Sequence, residues 1–216
     1  MTRDKMITPS LLIDRRSLLI GAGAGAVVFS AAAPARADGA AEQFIAGVLD
    51  EANGFIGADE QTRLDGVERL VDKYVNMRRV GRFVLGQYAR VMTDQQAEIY
   101  YPLFKKYATL IYRKALADYS GQALAVKDSI DRSARDIIVN TRIANPQPGD
   151  QYANATIHWR VYRSRAGDMS VFDAGVDGIW LALEQQSQFK SVIANNGGGE
   201  KGVDALIADL QKKVSA

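Results

Sequence analysis

His158, Asp173 and Asp177 are the residues whose types invite an acid–base reading. His158 stands between Thr156 and Arg160 in a stretch that alternates as a strand, and the two aspartates lie four apart near a strand end. A histidine or a pair of carboxylates moves protons when a cavity brings it to a substrate. No partner motif accompanies them, so a hydrogen-bonded strand histidine and turn-capping carboxylates are the plainer reading. GGGEKG (197–202) has the glycine content of a phosphate loop but lacks the GxxxxGK(S/T) order, and reads as a break between helices. Lys73, Arg78, Arg79 and Arg82 suit anionic headgroups or an acidic partner, and a solvated helix face accounts for them about as well. With one histidine and no cysteine, thiol nucleophiles, disulfides and cysteine-ligated metals drop out, and most histidine-built metal sites with them. No catalytic residue, metal or cofactor is expected.

The totals agree with a binding protein better than with an enzyme. At 216 residues, 47% apolar and 24% charged, the chain has ordinary globular composition and room for one substantial core. Its basic excess lies at the front, where Arg3, Lys5, Arg15, Arg16 and Arg36 face only Asp4 and Asp14. Removing these from the totals of 27 basic and 25 acidic residues leaves 22 and 23, a net charge of −1. A near-neutral remainder lacks the electrostatic footprint of a nucleic-acid binder, so no nucleic-acid partner is expected.

Residues 1–37 read as an export signal. Arg15 and Arg16 end a basic region, a weakly hydrophobic stretch runs from Leu18 to about Ala33, and Ala35-Arg36-Ala37 offers small residues for cleavage before Asp38. Adjacent arginines ahead of Ser-Leu-Leu, with a glycine-diluted apolar stretch, fit the twin-arginine variant, and a general secretory signal is the alternative. Gly21, Gly23 and Gly25 weaken a buried core helix there, and the stretch is short for a membrane span. The expected mature chain, 38–216, is a single domain in the periplasm.

Helices come first in that chain. AEQFIAGVLDEANGFI places Phe44, Val48, Ala52 and Phe55 on one stripe, with Ile45, Leu49 and Ile56 beside it. RLDGVERLVDKYV repeats the pattern, and the segment holding FVLGQY (83–88) continues helical to about Met92. Thr93 and Gln96 have capping-box spacing and open a helix reaching about Tyr119, with Pro102 expected to bend it or mark its start. Two adjacent stripes, Ile99-Leu103-Tyr107-Leu110 and Tyr100-Phe104-Ala108-Ile111, make its apolar arc wider than one contact needs. After Ser120-Gly121 the period changes to two: DIIVNTRI (136–143), ATIHWRVYR (155–163) and MSVFDAGV (169–176) read as an antiparallel meander with one apolar face. Two helices, around Phe189 and around Leu206, close the chain. The fold class is α+β, helices packed on a mainly antiparallel sheet. Whether the aromatic surplus is core or the lining of an apolar cavity is not separable by periodicity.

The order of short motifs resembles the MlaC/toluene-tolerance family of periplasmic phospholipid-binding proteins. The motifs are Phe83 to Tyr88, Thr93 with Gln96, Phe104 with Tyr107, and Tyr119 with Gly121 and Gln122; IHWRVYR, VFDAGVDGI, QSQFKSVI and VDALIADL follow in the family's order. Where the family often has Glu-Gly-Val-Ser, this chain has Asp177-Gly178-Ile179-Trp180, and a tryptophan there would narrow a pocket. The resemblance implies a curved sheet and helices enclosing a hydrophobic cavity, with bound phospholipid as cargo. It implies a monomeric carrier between an outer-membrane lipoprotein complex and an inner-membrane MCE-domain ABC transporter complex. The residues expected to line the cavity are Val84, Leu85, Tyr88, Leu103, Phe104, Tyr107, Ile111 and Tyr119 from helices, and Val139, Ile157, Trp159, Val161, Phe172 and Val176 from the sheet. Other readings stay open: another lipid such as a hopanoid, a small exported NTF2-like enzyme, or an adaptor with a solid core.

Replacing Arg15 and Arg16 with lysine is expected to block twin-arginine export, measured as loss of processed protein from the periplasmic fraction. Unimpaired export would assign the general route.

Overall fold

The computed structural model describes residues 38–55, 57–117, 123–146 and 153–215. Arg15, Arg16, Ala35, Ala37 and Tyr119, with the Ser120-Gly121 break, lie outside the described residues.

The amphipathic stripes set the helices. α1 (Gly39–Asn53) begins on Asp38, whose carboxylate accepts the Ala40 and Ala41 N–H groups, and α2 (Glu60–Tyr74) begins on Asp59, which accepts from Thr62 N–H. α3 (Met77–Leu85) stops at Gly86, where φ is +57°. That left-handed conformation suits glycine, so the helix does not run to Met92 as the sequence pattern predicts; a 3₁₀ turn, Gly86–Arg90, follows instead. α4 (Asp94–Ala117) carries Pro102 inside it. Its expected capping box is complete: Gln96 N–H donates to Thr93 Oγ1 at 3.2 Å and Thr93 N–H to Gln96 Oε1 at 3.0 Å. α5 (Leu181–Asn195) and α6 (Gly199–Ser215) are joined through three glycines with positive φ, as the GGG run predicts.

Among the described residues, five strands form an open antiparallel sheet in chain order: β1 (Leu124–Ser133), β2 (Asp136–Ile143), β3 (Ile157–Arg163), β4 (Met169–Val176) and β5 (Ile179–Trp180). The α+β class is as expected, and the three predicted strands are present. β1 and β5 are additional. β1 is an edge strand whose register against β2 slips twice, after Val126 and after Asp131, so its apolar residues do not keep a period of two. A further slip between Arg160 and Val161 leaves Phe172 as the extra residue of β4.

Two main cores result. In one, Ile45 and Leu49 of α1 cover Ile137, Val139, Val161 and Val171 of the sheet. In the other, α3, α4, α5 and α6 close around Tyr100, Phe104, Phe189, Ile193, Leu206 and Leu210. On α4, Tyr100, Phe104 and Ala108 of one stripe are buried together with Tyr107 of the other, while Ile99 (45% exposed) and Leu110 (36%) are on the surface. A small third cluster, Phe55, Val67 and Val71, holds α2.

Gly202 is where α6 meets the end of α5. A Cβ there would lie 2.5 Å from the Ile193 carbonyl oxygen, which is backbone and cannot swing away. Gly202→Ala is expected to destabilise the protein by about 1–3 kcal/mol, read as a lower urea midpoint with unchanged slope.

Candidate functional site

The helical core has a gap among the described residues. An apolar slot lies where α3, α4 and α5 meet, lined by Val80 and Val84 of α3, Phe104, Ala108, Ile111 and Tyr112 of α4, and Leu181, Ala182 and Gln185 of α5. Its volume is about 30 Å³, the share of one molecule in liquid water. A larger hollow of about 570 Å³ runs along α2, but its walls, Asp65, Glu68, Arg69, Asp72 and Lys73, are all charged and suit no acyl chain.

Two polar side chains of the slot wall, Tyr112 and Gln185, interrupt its apolar surface, and a third group acts from the sheet. Trp180, ahead of α5, gives the helix no side-chain cap. Asp173 of β4 supplies it instead: Oδ1 accepts the Ala182 N–H at 2.9 Å and the Ala174 N–H at 2.8 Å. The carboxylate is 2% exposed, and Oδ2 has no hydrogen-bond partner among the described residues. Burial pushes Asp173 up to about 6, against the pull of the Ala182 and Ala174 N–H bonds and of Arg160. Burial, and then the nearby charge of Asp173, push Tyr112 up to about 12. A second tie holds α5 to α3, where Gln186 Nε2 donates to the Phe83 carbonyl at 2.6 Å. Gly86 lies beneath it, since a Cβ there would meet Lys190 Cε at 2.5 Å.

The residues expected in a cavity divide between the cores. Val84, Phe104 and Ile111 line the slot. Leu85 and Tyr107 are buried in the same helical core, and Tyr88, Leu103 and Phe172 pack against it. Phe172 reaches it edge-on to Phe83, with ring centroids 5.0 Å apart. Val139 and Val161 instead lie under α1, with Trp159 packed beside them and its Nε1 donating to Thr141 Oγ1 at 3.0 Å. Ile157 is half-buried and Val176 exposed. Alternation predicts which sheet residues point inward but not which of two cores they enter. Val80, Ala108, Tyr112, Leu181, Ala182 and Gln185 are slot residues outside the expected set; the small side chains at 108 and 182, on facing helices, are the sequence trace of the gap.

The groups offered for acid–base chemistry have structural partners. His158 Nδ1 bonds to Asn140 Oδ1 at 2.7 Å, and its ring lies 5.7 Å from that of Trp180. Trp180 thus covers the end of the sheet and does not line the slot. Asp177 occupies the β4–β5 turn, accepting from the Thr156 N–H at 3.1 Å. Nor is the basic stretch one free patch: Lys73 pairs with Glu51 at 2.7 Å, Arg78 lies over Tyr101 and Arg79 over Tyr162.

The family profile described as MlaC protein matches residues 41–212. This chain belongs to the MlaC family. A curated member, the intermembrane phospholipid transport system binding protein MlaC of Haemophilus influenzae, is 28% identical over 145 residues, 66% of this chain. The match spans 64% of that relative's own length, a little under two thirds. Among solved structures, a phospholipid-binding protein from Ralstonia solanacearum, in complex with a phospholipid, aligns with a TM-score of 0.65 at 24% identity. It covers 81% of this chain and 97% of that one, and the likeness supports the MlaC-type fold. No helix among the described residues is long and apolar enough to cross a membrane.

Asp173 has a folded pKa above its unfolded one, so it favours the folded state fully below pH 3.8 and loses that contribution as pH rises to about 6. Relative to Asp173→Asn, the wild-type protein is expected to gain on the order of 2–3 kcal/mol between pH 7 and pH 4, measured by urea unfolding of both proteins across that range.

Proposed function

We propose that this chain is a carrier that holds the acyl tails of a phospholipid between α3, α4 and α5 and moves it between membranes. The observation that carries the reading is the slot itself, an apolar gap at the meeting point of three helices in an MlaC-family chain. A carrier is needed because burial of each methylene is worth about 0.8 kcal/mol, so two sixteen-carbon chains resist water by on the order of 25 kcal/mol. The protein has only to replace that apolar surrounding and leave the headgroup wet; no bond need be made or broken, so the role is not enzymatic and requires no cofactor.

At about 30 Å³ the slot holds no acyl chain as it stands, whereas ligand pockets run to roughly 300–1,000 Å³. Loading therefore requires α3 and α5 to part, at the cost of the Gln186–Phe83 bond and of packing around Ala108 and Ala182. In this reading the chain works in the periplasm as a monomer, receiving or delivering lipid at an outer-membrane lipoprotein complex and an inner-membrane MCE-domain ABC transporter complex. The small volume also favours a second reading, a ligand-free adaptor with a solid interior.

Native mass spectrometry of protein purified from the periplasm separates the two. A co-purified phospholipid mass is expected, and Ala108→Leu, which fills the slot, is expected to lower uptake from phosphatidylethanolamine–phosphatidylglycerol vesicles about tenfold, equivalent to ~1.4 kcal/mol. Apoprotein that takes up nothing from such vesicles would leave the adaptor standing.

A further inference from the structure

Outside the slot, an arrangement of polar groups surrounds a backbone atom for which lipid carriage has no use, the amide nitrogen of Asp38. That N–H donates to Ser129 Oγ of β1 at 2.8 Å, and Ser129 in turn donates to Glu42 Oε1 of α1 at 2.8 Å. One carboxylate oxygen of Asp38 takes the Ala40 and Ala41 N–H groups, each at 3.1 Å, and the other pairs with Arg163 of β3. Ser129 is buried. A residue at the very start of α1 is thus stitched to two strands through its backbone and side chain, across 91 and 125 residues of sequence.

We propose that this cluster is a seat for the chain's own new amino terminus, the α-ammonium of Asp38. The inference rests on the export reading, in which a signal peptidase hydrolyses the bond between Ala37 and Asp38. Water adds across that bond, its hydroxyl going to the Ala37 carbonyl carbon and a proton to the Asp38 nitrogen; at neutral pH the new Ala37 carboxyl gives up its proton and the amine takes one up, leaving a carboxylate and an ammonium. Ala35 and Ala37 supply the small side chains that such a peptidase selects.

Charge distinguishes the cut chain from the uncut one. Around the nitrogen stand two carboxylates, Asp38 and Glu42, and one guanidinium, Arg163. With an amide at position 38 the cluster carries one net negative charge; an ammonium brings it to zero. The positive end of the α1 dipole opposes the new charge, but it amounts to about half an elementary charge, against the one full net negative charge that Asp38, Glu42 and Arg163 leave together. Ser129 accepts from the nitrogen in either state, so the same seat holds both, and the cut form gains Glu42 as a charge partner.

Two measurements test this. Mass spectrometry of the periplasmic protein should give a first residue of Asp38. Protein prepared to begin at Asp38 should melt about 2–4 °C higher at pH 7 than the same protein carrying a Gly-Ser extension, which turns the ammonium back into an amide. Glu42→Gln should erase most of that difference while leaving both proteins folded. Equal melting temperatures of the two forms would overturn the seat whatever the route of export. A processed terminus elsewhere would overturn the assignment of the cut while export stands. Periplasmic absence, or retention of residues 1–37, would overturn the export reading, with the melting comparison still deciding the seat.

Discussion

The apolar seam among α3, α4, α5 and α6 is the constraint on which the other features depend. Phe104 stacks on Tyr100 and meets Phe189 edge-on, with centroids 5.7 and 6.1 Å away, and Tyr107 leans on Phe189 at 6.0 Å. Rings of this size fill a helical interface only if the backbones approach closely elsewhere. Gly81 provides one such place, since a Cβ there would sit 2.9 Å from Phe104 Cδ1, and Tyr100 anchors the same spot by donating its hydroxyl to the Gly81 carbonyl at 3.0 Å. The slot is the part of this seam where side chains are too small to meet, between Ala108 and Ala182. Its position follows from how the aromatic rings distribute volume along the helices.

The sheet serves this seam more than it forms part of it. Its best-packed face is occupied by α1, and the helical core receives mainly Phe172, delivered by a register slip in β4. Val75, which follows α2, packs against all three apolar clusters and bridges to Val171. Between the cores, one polar tie is a carboxylate at a helix start. Asp173 satisfies an α5 N–H that lacks a side-chain cap from Trp180, yet keeps one oxygen buried without a hydrogen-bond partner among the described residues. Such a group is costly to hold in its charged form, so the junction between sheet and α5 is less secure than the hydrophobic contacts around it. That weakness lies at the helix that must move if the slot is to open.

Much of this architecture is legible in the sequence. Local signals were faithful where the chemistry is local: the Thr93–Gln96 box, the glycine break after α5 and the alternation of β3 all depend on residues a few positions apart. FVLGQY misled about helix length because glycine is tolerated inside a helix as well as after one, and only the backbone reveals the positive φ of Gly86. β1 escaped because an edge strand with two slips need not alternate. For the site, the sequence identified apolar residues without sorting them between cores, and so placed Val139 and Val161 with Val84 although they pack under α1. Asp173 was visible as a carboxylate near a strand end; its capping of a helix that starts eight residues later required the tertiary fold.

The capping box of α4 has a further reach. Beyond closing its own helix, Gln96 donates through Nε2 to Asp204 Oδ1 at 2.7 Å and to the Glu200 carbonyl at 2.9 Å, both on α6. These partners lie 108 and 104 residues downstream, so during synthesis Gln96 Nε2 has neither of them until the last helix has left the ribosome. A chain cut short before Glu200 would leave that donor to water and forgo both bonds, each worth about 0.5–1.5 kcal/mol, on top of the lost apolar contacts. The side chain that starts the central helix therefore also registers whether the C-terminal one has arrived.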